Sequence, residues 1–106
     1  MRRYDLRRAA QDDVLSLLAY AGSFSDDAAD RFVDRLTDSF ERISQFPDIG
    51  RARPEFGDGL RSLAVNRLKV TVFYLVTADQ TDRVVIVRVV RQERDVGAPD
   101  FEPEGD

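Results

Sequence analysis

The spacing of apolar positions changes along the chain, and each change predicts a different element. Tyr4 and Leu6 alternate with charged neighbours, which is typical of a short strand, here over residues 2–8. The next apolar residues recur at helical spacing as far as Gly22, a residue type that often ends a helix. They are Ala10, Val14, Leu17, Leu18 and Ala21. The first part of the chain is therefore predicted to be a strand followed by a helix.

A second helix with a longer apolar stripe is predicted next. Ser23 or Ser25 can cap its N-terminus. Pro47 disfavours helical geometry at Phe46, so the helix is expected to end there. Its apolar positions are three and four residues apart, namely Ala29, Phe32, Val33, Leu36, Phe40 and Ile43. Because only a few small residues join the two helices, we expect an antiparallel helical hairpin.

Strand patterns dominate the second half of the chain. Residues 47–59 contain two prolines and three glycines, which predict a loop. Strands are predicted near residues 60–66, 69–76 and 83–91, the last two joined by a polar hairpin connection over residues 77–82. The sequence thus predicts an α+β fold in which an N-terminal strand and an α-helical hairpin precede a three-stranded antiparallel meander.

The last two predicted strands are apolar on both sides. In the first, Val70, Val72, Tyr74 and Val76 alternate with Thr71, Phe73 and Leu75. In the second, strict alternation places Val84, Ile86, Arg88 and Val90 on one face and Val85, Val87 and Val89 on the other. Two helices cover one face of a small sheet, so we expect the other face to remain uncovered and to bind another macromolecule. The alternative is that strand ends, side-chain stems or Phe101 fill that space.

Arg88 stands out because it lies in a run of valines and isoleucine. A charge in such surroundings requires a carboxylate or carbonyl partner, from this chain or from another.

Size and charge fit one small domain with an acidic tail. A chain of 106 residues has room for one modest core, which we assign to residues 1–96. Residues 97–106 contain four acidic residues and no basic one and are predicted to be a flexible tail. The net charge of −4 therefore belongs to the tail, since residues 1–96 hold 16 acidic and 16 basic residues.

The composition also argues against several kinds of site. The chain has no cysteine and no histidine, which removes thiolates, the commonest metal ligand and the commonest general base. The acidic stripe of Asp30, Asp34 and Asp38 fits a solvated helix face better than a metal site. We expect no metal and no cofactor. The sequence contains no stripe of basic residues with interleaved aromatics, so we do not expect direct nucleic-acid binding. No apolar run approaches the roughly 20 residues of a membrane span, and no signal-peptide pattern is present, so we expect a cytoplasmic protein.

Four short motifs, in this order between Tyr4 and Asp95, resemble the ParE branch of the RelE/ParE toxin superfamily. They are Tyr4-x-Leu6 leading to Ala10 and Asp13; Phe46-Pro47-Asp48-Ile49-Gly50-Arg51; Gly59-Leu60-Arg61-Ser62 with Phe73-Tyr74; and Arg88-Val89-Val90 with Arg94-Asp95. The resemblance implies the toxin of a type II toxin–antitoxin system. It further implies neutralisation by a ParD-like antitoxin, which lays a helix and an extended segment across the toxin, and inhibition of DNA gyrase.

RelE-like relatives instead cleave messenger RNA on the ribosome, a reaction that needs a proton acceptor and a proton donor. This chain has a single lysine, Lys69, and neither tyrosine nor histidine after Tyr74. Arg91 occupies a position at which the family commonly has histidine. Arginine stays protonated and is a poor acid or base, so we expect a protein-binding inhibitor rather than an enzyme. A RelE-like ribosome-dependent endoribonuclease and a non-toxic, antitoxin-binding remnant of the family remain as alternatives.

We predict no catalytic residues. Tyr4, Asp13 and Tyr20 are expected to be structural. The residues predicted to contact the partner or the target are Arg61, Tyr74, Ile86, Arg88, Val90, Arg91, Arg94 and Asp95.

Overall fold

The computed structural model describes residues 4–76 and 83–92. Strand β1 (Tyr4–Leu6) leads into helices α1 (Arg8–Gly22) and α2 (Asp26–Gln45). After the helices come β2 (Arg51–Ala52), β3 (Leu60–Val65), β4 (Val70–Val76) and β5 (Val84–Arg91), with 3₁₀ turns at Pro47–Ile49 and Pro54–Phe56. The predicted α+β fold, with a strand, a helical hairpin and an antiparallel meander, is confirmed. The predicted hairpin connection and the acidic tail lie outside the described residues.

Local sequence explains where the helices begin and end. Ser25, not Ser23, caps α2: its hydroxyl accepts a hydrogen bond from the Ala28 N–H at 2.9 Å. The hydroxyl of Ser23 instead donates to the Tyr20 carbonyl at the end of α1. Helix α2 ends at Gln45, immediately before the Phe46-Pro47 pair, as predicted. Val33, which was expected on the apolar face of α2, is 43 % exposed.

The sheet is mixed and has five strands in the order β1-β5-β4-β3-β2. β1 runs parallel to β5, whereas all the other neighbours are antiparallel. β2 lies in the segment that was predicted to be a loop. It pairs only Arg51 with Ser62 and Ala52 with Arg61, and both of its residues are exposed. Two exposed residues carry no alternating pattern, so nothing local indicated this strand.

A β-bulge in β5 corrects the predicted assignment of its faces. Phe73 pairs with Arg88 and the next residue, Tyr74, pairs with Ile86, so Val87 has no partner of its own on β4. Beyond this extra residue the alternation is reversed. Val89 packs in the same core as Val84 and Ile86, while Val90 packs with Val87. Strict alternation had placed Val90 with Ile86, which is wrong.

The main core lies between the helical hairpin and one face of the sheet. It buries four side chains of α2, namely Phe32, Leu36, Phe40 and Ile43. From the sheet it buries Tyr4, Val70, Val72, Tyr74, Val84, Ile86 and Val89. Ala10 of α1 is also buried, and the larger α1 side chains Val14, Leu17 and Leu18 pack at its edge. The helices thus cover the face that carries Val84 and Ile86, whereas these two residues were expected on the uncovered face together with Arg88.

The opposite face carries a smaller buried cluster, which corrects the expectation of an uncovered apolar surface. Leu60, Phe73 and Val87 are only 4–5 % exposed. The turn Pro54–Phe56 folds over them and brings the Phe56 ring within 6.2 Å of the Phe73 ring. The predicted fold-back of Phe101 concerns a residue outside the described part of the chain. These three side chains are therefore covered, and a surface that binds a macromolecular partner must lie elsewhere on the domain.

Candidate partner-binding site

Arg88 finds its partner within the chain. Its Nε donates to Asp13 Oδ2 at 2.7 Å and its Nη2 donates to Asp13 Oδ1 at 3.0 Å, in a bidentate pair. The same carboxylate accepts a hydrogen bond from the Val89 N–H at 2.9 Å. The two charged side chains are only 17 % and 16 % exposed. The pair therefore fastens α1 to β5 beside the bulge, and this confirms the requirement for a carboxylate next to Arg88.

Tyr74 fixes the loop that follows α2. Its hydroxyl donates to the Pro47 carbonyl at 2.6 Å and accepts from the Gly50 N–H at 2.8 Å. Arg61 supports the same loop from β3 by donating to the Gly50 carbonyl at 2.7 Å. We call these three contacts the tyrosine clamp. Asp48, in the same loop, lies 3.5 Å from the Arg61 guanidinium and is 95 % exposed.

Burial raises the pKa of Tyr74 above its ordinary value, and this effect outweighs the lowering by the Gly50 hydrogen bond and by the Arg61 charge. The hydroxyl is thus held in its neutral form and is occupied by two backbone groups. Both properties suit a structural side chain better than an acid or a base.

The residues predicted as contacts divide into buried and exposed groups. Tyr74 and Ile86 are 0 % exposed, and Arg88 is held by Asp13. These three side chains therefore do not contact a partner directly, and they affect binding only by holding the surface residues in place. Val90 is half-buried beside Val87 in the smaller cluster. Arg94 and Asp95 lie outside the described residues.

Arg61 and Arg91 both reach solvent but at opposite ends of the sheet. Arg61 pairs with Tyr74 near one end, whereas Arg91 pairs with Val70, which in turn faces Val65. Four residues of β3 separate the two levels, or about 13 Å at the rise of an extended strand. The structure does not bring these two arginines into one site.

Arg91 belongs to a groove that the sequence did not indicate as a unit. The guanidinium carbon of Arg91 lies 4.6 Å from the centroid of the Tyr20 ring, a cation–π geometry. The Tyr20 and Phe24 rings meet edge to face at 5.2 Å, and these side chains are 48 % and 68 % exposed. Behind them is a cavity of about 320 Å³. We call it the hairpin-tip groove; it is lined by Leu17, Tyr20, Ala21, Phe24, Ala28, Phe32, Arg67, Leu68, Lys69, Val70, Arg91 and Gln92.

The hairpin-tip groove combines an apolar floor with a basic rim. Leu17, Phe32, Leu68 and Val70 supply the floor, and Arg67, Lys69 and Arg91 supply three positive charges at its edge. Sequence reasoning found Arg91 but treated Tyr20 as structural and did not single out Phe24. The available signal was an aromatic residue between the two helical patterns, where neither helix can bury it.

The acidic side chains of the described residues are dispersed. No group of three or more acidic side chains converges within residues 4–76 and 83–92. Asp30, Asp34 and Asp38 are all exposed on α2. No helix in the same two ranges is long and apolar enough to cross a membrane.

Comparison with known proteins agrees with this architecture. Residues 4–96 match the family described as the ParE toxin of the type II toxin–antitoxin system parDE. The fold is similar to a solved chain from the chromosomal ParDE toxin–antitoxin system of P. aeruginosa, with a TM-score of 0.71 and 20 % sequence identity. That match covers 88 % of this chain and 98 % of the other. No curated protein sequence matches. Since the family match spans nearly all of the folded domain, the chain belongs to the ParE toxin family of type II toxin–antitoxin systems.

Proposed function

We propose that this protein is an active toxin of the bacterial cytoplasm, held inactive by a ParD-like antitoxin and directed against DNA gyrase. The observation that carries the proposal is the hairpin-tip groove in a chain of the ParE family. The solved structure with the same fold comes from a ParDE system, which supports an antitoxin as the partner.

The groove favours an amphipathic helix as the part of the antitoxin that binds there. Helix-in-groove recognition uses apolar side chains three and four residues apart. The exposed Tyr20 and Phe24 rings flank a floor that can receive such side chains. Acidic residues on the helix would face Arg67, Lys69 and Arg91, giving opposite charges across the rim.

The remaining predicted contact residues take two roles in this proposal. Arg91 contacts the antitoxin directly, and Arg94 and Asp95, which follow it in the sequence, are assigned to the same partner. Arg88, Tyr74 and Ile86 position the strands beneath it. Val90 and Arg61 lie on surfaces outside the groove and are assigned to the target.

Direct binding of nucleic acid is not part of the proposal. Several arginines already have carboxylate partners: Arg53 with Glu55, Arg61 with Asp48, Arg83 with Asp5 and Arg88 with Asp13. Phosphate recognition relies on clustered basic groups that are available to the backbone. The action on DNA is therefore assigned to a complex with gyrase.

The antitoxin contact is tested by one pair of substitutions. Phe24→Asp places a charge in the hairpin-tip groove, whereas Leu15→Asp makes the same change at a 65 % exposed position of α1 that does not line it. We expect Phe24→Asp to weaken antitoxin binding by about 30-fold or more, which corresponds to the roughly 2 kcal/mol of a hot-spot residue. Leu15→Asp should leave the Kd within about three-fold of the original. Equal effects of the two changes would contradict the assignment.

The target is tested by inducing the toxin in cells without antitoxin. We expect growth arrest, DNA breaks trapped on gyrase and recovery when the antitoxin is co-expressed. Primer extension on cellular messages is the matched measurement. Codon-specific cuts in messages without DNA damage would show that the target is messenger RNA on the ribosome and not gyrase. Absence of growth arrest would show that the protein is a non-toxic, antitoxin-binding member of the family. A neighbouring reading frame with a ribbon-helix-helix pattern would support the antitoxin assignment independently.

A further inference from the structure

The hairpin-tip groove is basic, and no acidic group of its own offsets the charge. Arg67, Lys69 and Arg91 are exposed at its rim, and no acidic side chain is among the residues that line it. Within the part of the chain that the structure describes, none of these three forms an ion pair with a carboxylate. The exposed Tyr20 and Phe24 rings add apolar surface beside the charges. An occupant with both an apolar side chain and carboxylates therefore fits this groove.

The last described residue, Gln92, lies at the rim of the same groove. Its backbone N–H donates to the Lys69 carbonyl at 2.8 Å. Its side-chain amide donates to the Val70 carbonyl at 3.0 Å and to Asn66 Oδ1 at 3.2 Å. Gln92 is thus fixed to the turn between β3 and β4, and the residues that follow it start beside the basic rim.

The sequence that follows has the chemistry that the groove lacks. Residues 97–106 contain four acidic residues and no basic one. Phe101 is the large apolar residue of this segment, and Asp100 and Glu102 flank it. Insertion of the Phe101 ring between the apolar side chains of the groove would therefore bring carboxylates close to the rim, opposite in charge to the groups there.

The length of chain allows this contact. Phe101 follows Gln92 by nine residues, and an extended chain of that length spans about 30 Å. Since Gln92 itself lines the groove, the segment reaches it without being fully stretched. A short tether gives an effective concentration on the order of millimolar. A contact that is weak for a free peptide is therefore occupied for much of the time within one chain.

A second basic groove, between α2 and β3, is a poorer match. It contains Arg35, Arg42 and Arg67, but Asp38 in its lining offsets one of these charges. No aromatic side chain lines it, so it offers a Phe101 ring less apolar surface than the hairpin-tip groove does. A second copy of the domain is also a poor occupant of the hairpin-tip groove, because the basic rims of the two copies would face each other.

We infer that residues 97–106 bind back into the hairpin-tip groove, with Phe101 against its apolar floor and the carboxylates against its rim. The segment then shields the exposed rings of the free protein and has to leave before another molecule enters. This docking is independent of the proposed function. Only its competition with the antitoxin rests on that function, since both are assigned to the same groove.

A spin label on the segment measures the contact in the full chain. The sequence has no cysteine, so Gly105→Cys provides a single labelling site. The nitroxide should broaden the amide resonances of Tyr20 and Leu68, which line the groove, and should leave that of Leu60, at the opposite end of β3, unchanged. Equal broadening at the two places, or none at either, would overturn the inference. Broadening of an unlabelled copy mixed with the labelled one would overturn docking within one chain.

Matched substitutions in the labelled chain separate docking from mere proximity to Gln92. Phe101→Ser should remove most of the broadening at Tyr20, whereas Ala98→Ser, the same change to serine elsewhere in the segment, should leave it unchanged. Arg67→Glu should also reduce it, since it reverses a charge at the rim, and Arg51→Glu on the exposed strand β2 should not. Equal broadening in all the labelled proteins would refute the docking.

The competition is measured with the protein encoded by the neighbouring antitoxin gene. Phe101→Ser should bind it at least about two-fold more tightly than the parent, because no segment has to be displaced, and Ala98→Ser should bind like the parent. Weaker or equal binding by Phe101→Ser would refute the competition. If no variant binds the antitoxin while the label reports the contact, the inference stands and the proposed function fails. Antitoxin binding without any contact reported by the label would refute the inference alone.

Discussion

The tyrosine clamp predicts that replacing Gly50 even by alanine destabilises the fold. The φ of Gly50 is −78°, which any residue adopts, so backbone strain is not the reason. A Cβ at this position would instead overlap the Tyr74 hydroxyl and lie 2.8 Å from Tyr74 Cε1 and 2.9 Å from the Ser62 carbonyl oxygen. The Tyr74 side chain is fully buried, and the Ser62 oxygen belongs to a paired strand. Neither atom can move away at low cost.

The magnitude follows from the contacts that must change. Overpacking of a dense core costs about 1–3 kcal/mol. Displacing the Tyr74 hydroxyl also weakens one or both of its hydrogen bonds, at about 1 kcal/mol each. We therefore expect Gly50→Ala to lower the free energy of unfolding by about 2–4 kcal/mol. For a domain of this size that corresponds to a fall in Tm of about 10–25 °C.

A double-mutant cycle with Tyr74→Phe tests the cause of this loss. The phenylalanine removes the hydroxyl that the new methyl group meets, and on its own costs about 1–3 kcal/mol because the Gly50 N–H and the Pro47 carbonyl lose their partner. The double variant should therefore be more stable than the sum of the two losses by at least about 1 kcal/mol. Urea unfolding followed by circular dichroism gives all four values. Additivity within about 0.5 kcal/mol, or a Gly50→Ala variant as stable as the parent, would refute the reasoning.

Three further predictions concern other contacts of the fold. Asp13→Ala should lower the free energy of unfolding by about 3–5 kcal/mol, because Arg88 then loses its bidentate carboxylate; in urea unfolding, a loss below about 1 kcal/mol would show that this pair is not structural. The raised pKa of Tyr74 means that the folded state favours its neutral form, so this contribution to stability should be retained below about pH 10 and be lost as the pH rises through the folded pKa. The alkaline unfolding of Tyr74→Phe should lack this pH-dependent component. Identical pH profiles of the two proteins would contradict the prediction. Ser25→Ala should cost about 1 kcal/mol in thermal unfolding through the lost N-cap, whereas Ser23→Ala, the control, should cost less; the reverse order would disprove the cap assignment.

The sequence predicted the elements that depend on local patterns. Phe32, Leu36, Phe40 and Ile43 recur at helical spacing, and Pro47 restricts its predecessor, so α2 could be located nearly to the residue. Nothing local revealed β2 or the bulge. β2 forms only through pairing with β3. β5 is apolar at almost every position, so its sequence pattern is the same with or without the extra residue of the bulge.

The candidate site was predicted less completely because its contacts join distant segments. Arg88 was expected to need a carboxylate, but Asp13 lies 75 residues earlier and any acidic residue could have served. The contact of Arg91 with Tyr20 likewise depends on how α1 packs against β5. Tyr74 was selected for its motif, and only the structure reveals that its hydroxyl is turned inward to Gly50.

The position of β5 has a consequence for the synthesis of the protein. This strand is last in the chain among the described elements yet lies between β1 and β4 in the sheet, and its register joins Tyr4 to Val84. A nascent chain that ends before β5 would have a three-residue N-terminal strand with no neighbour and an antiparallel meander with an exposed apolar edge. Contacts that span so much of the chain form slowly, since a long loop must close first. We therefore expect the sheet to form only after β5 has been synthesised, and chains that lack β5 to be substrates for proteases.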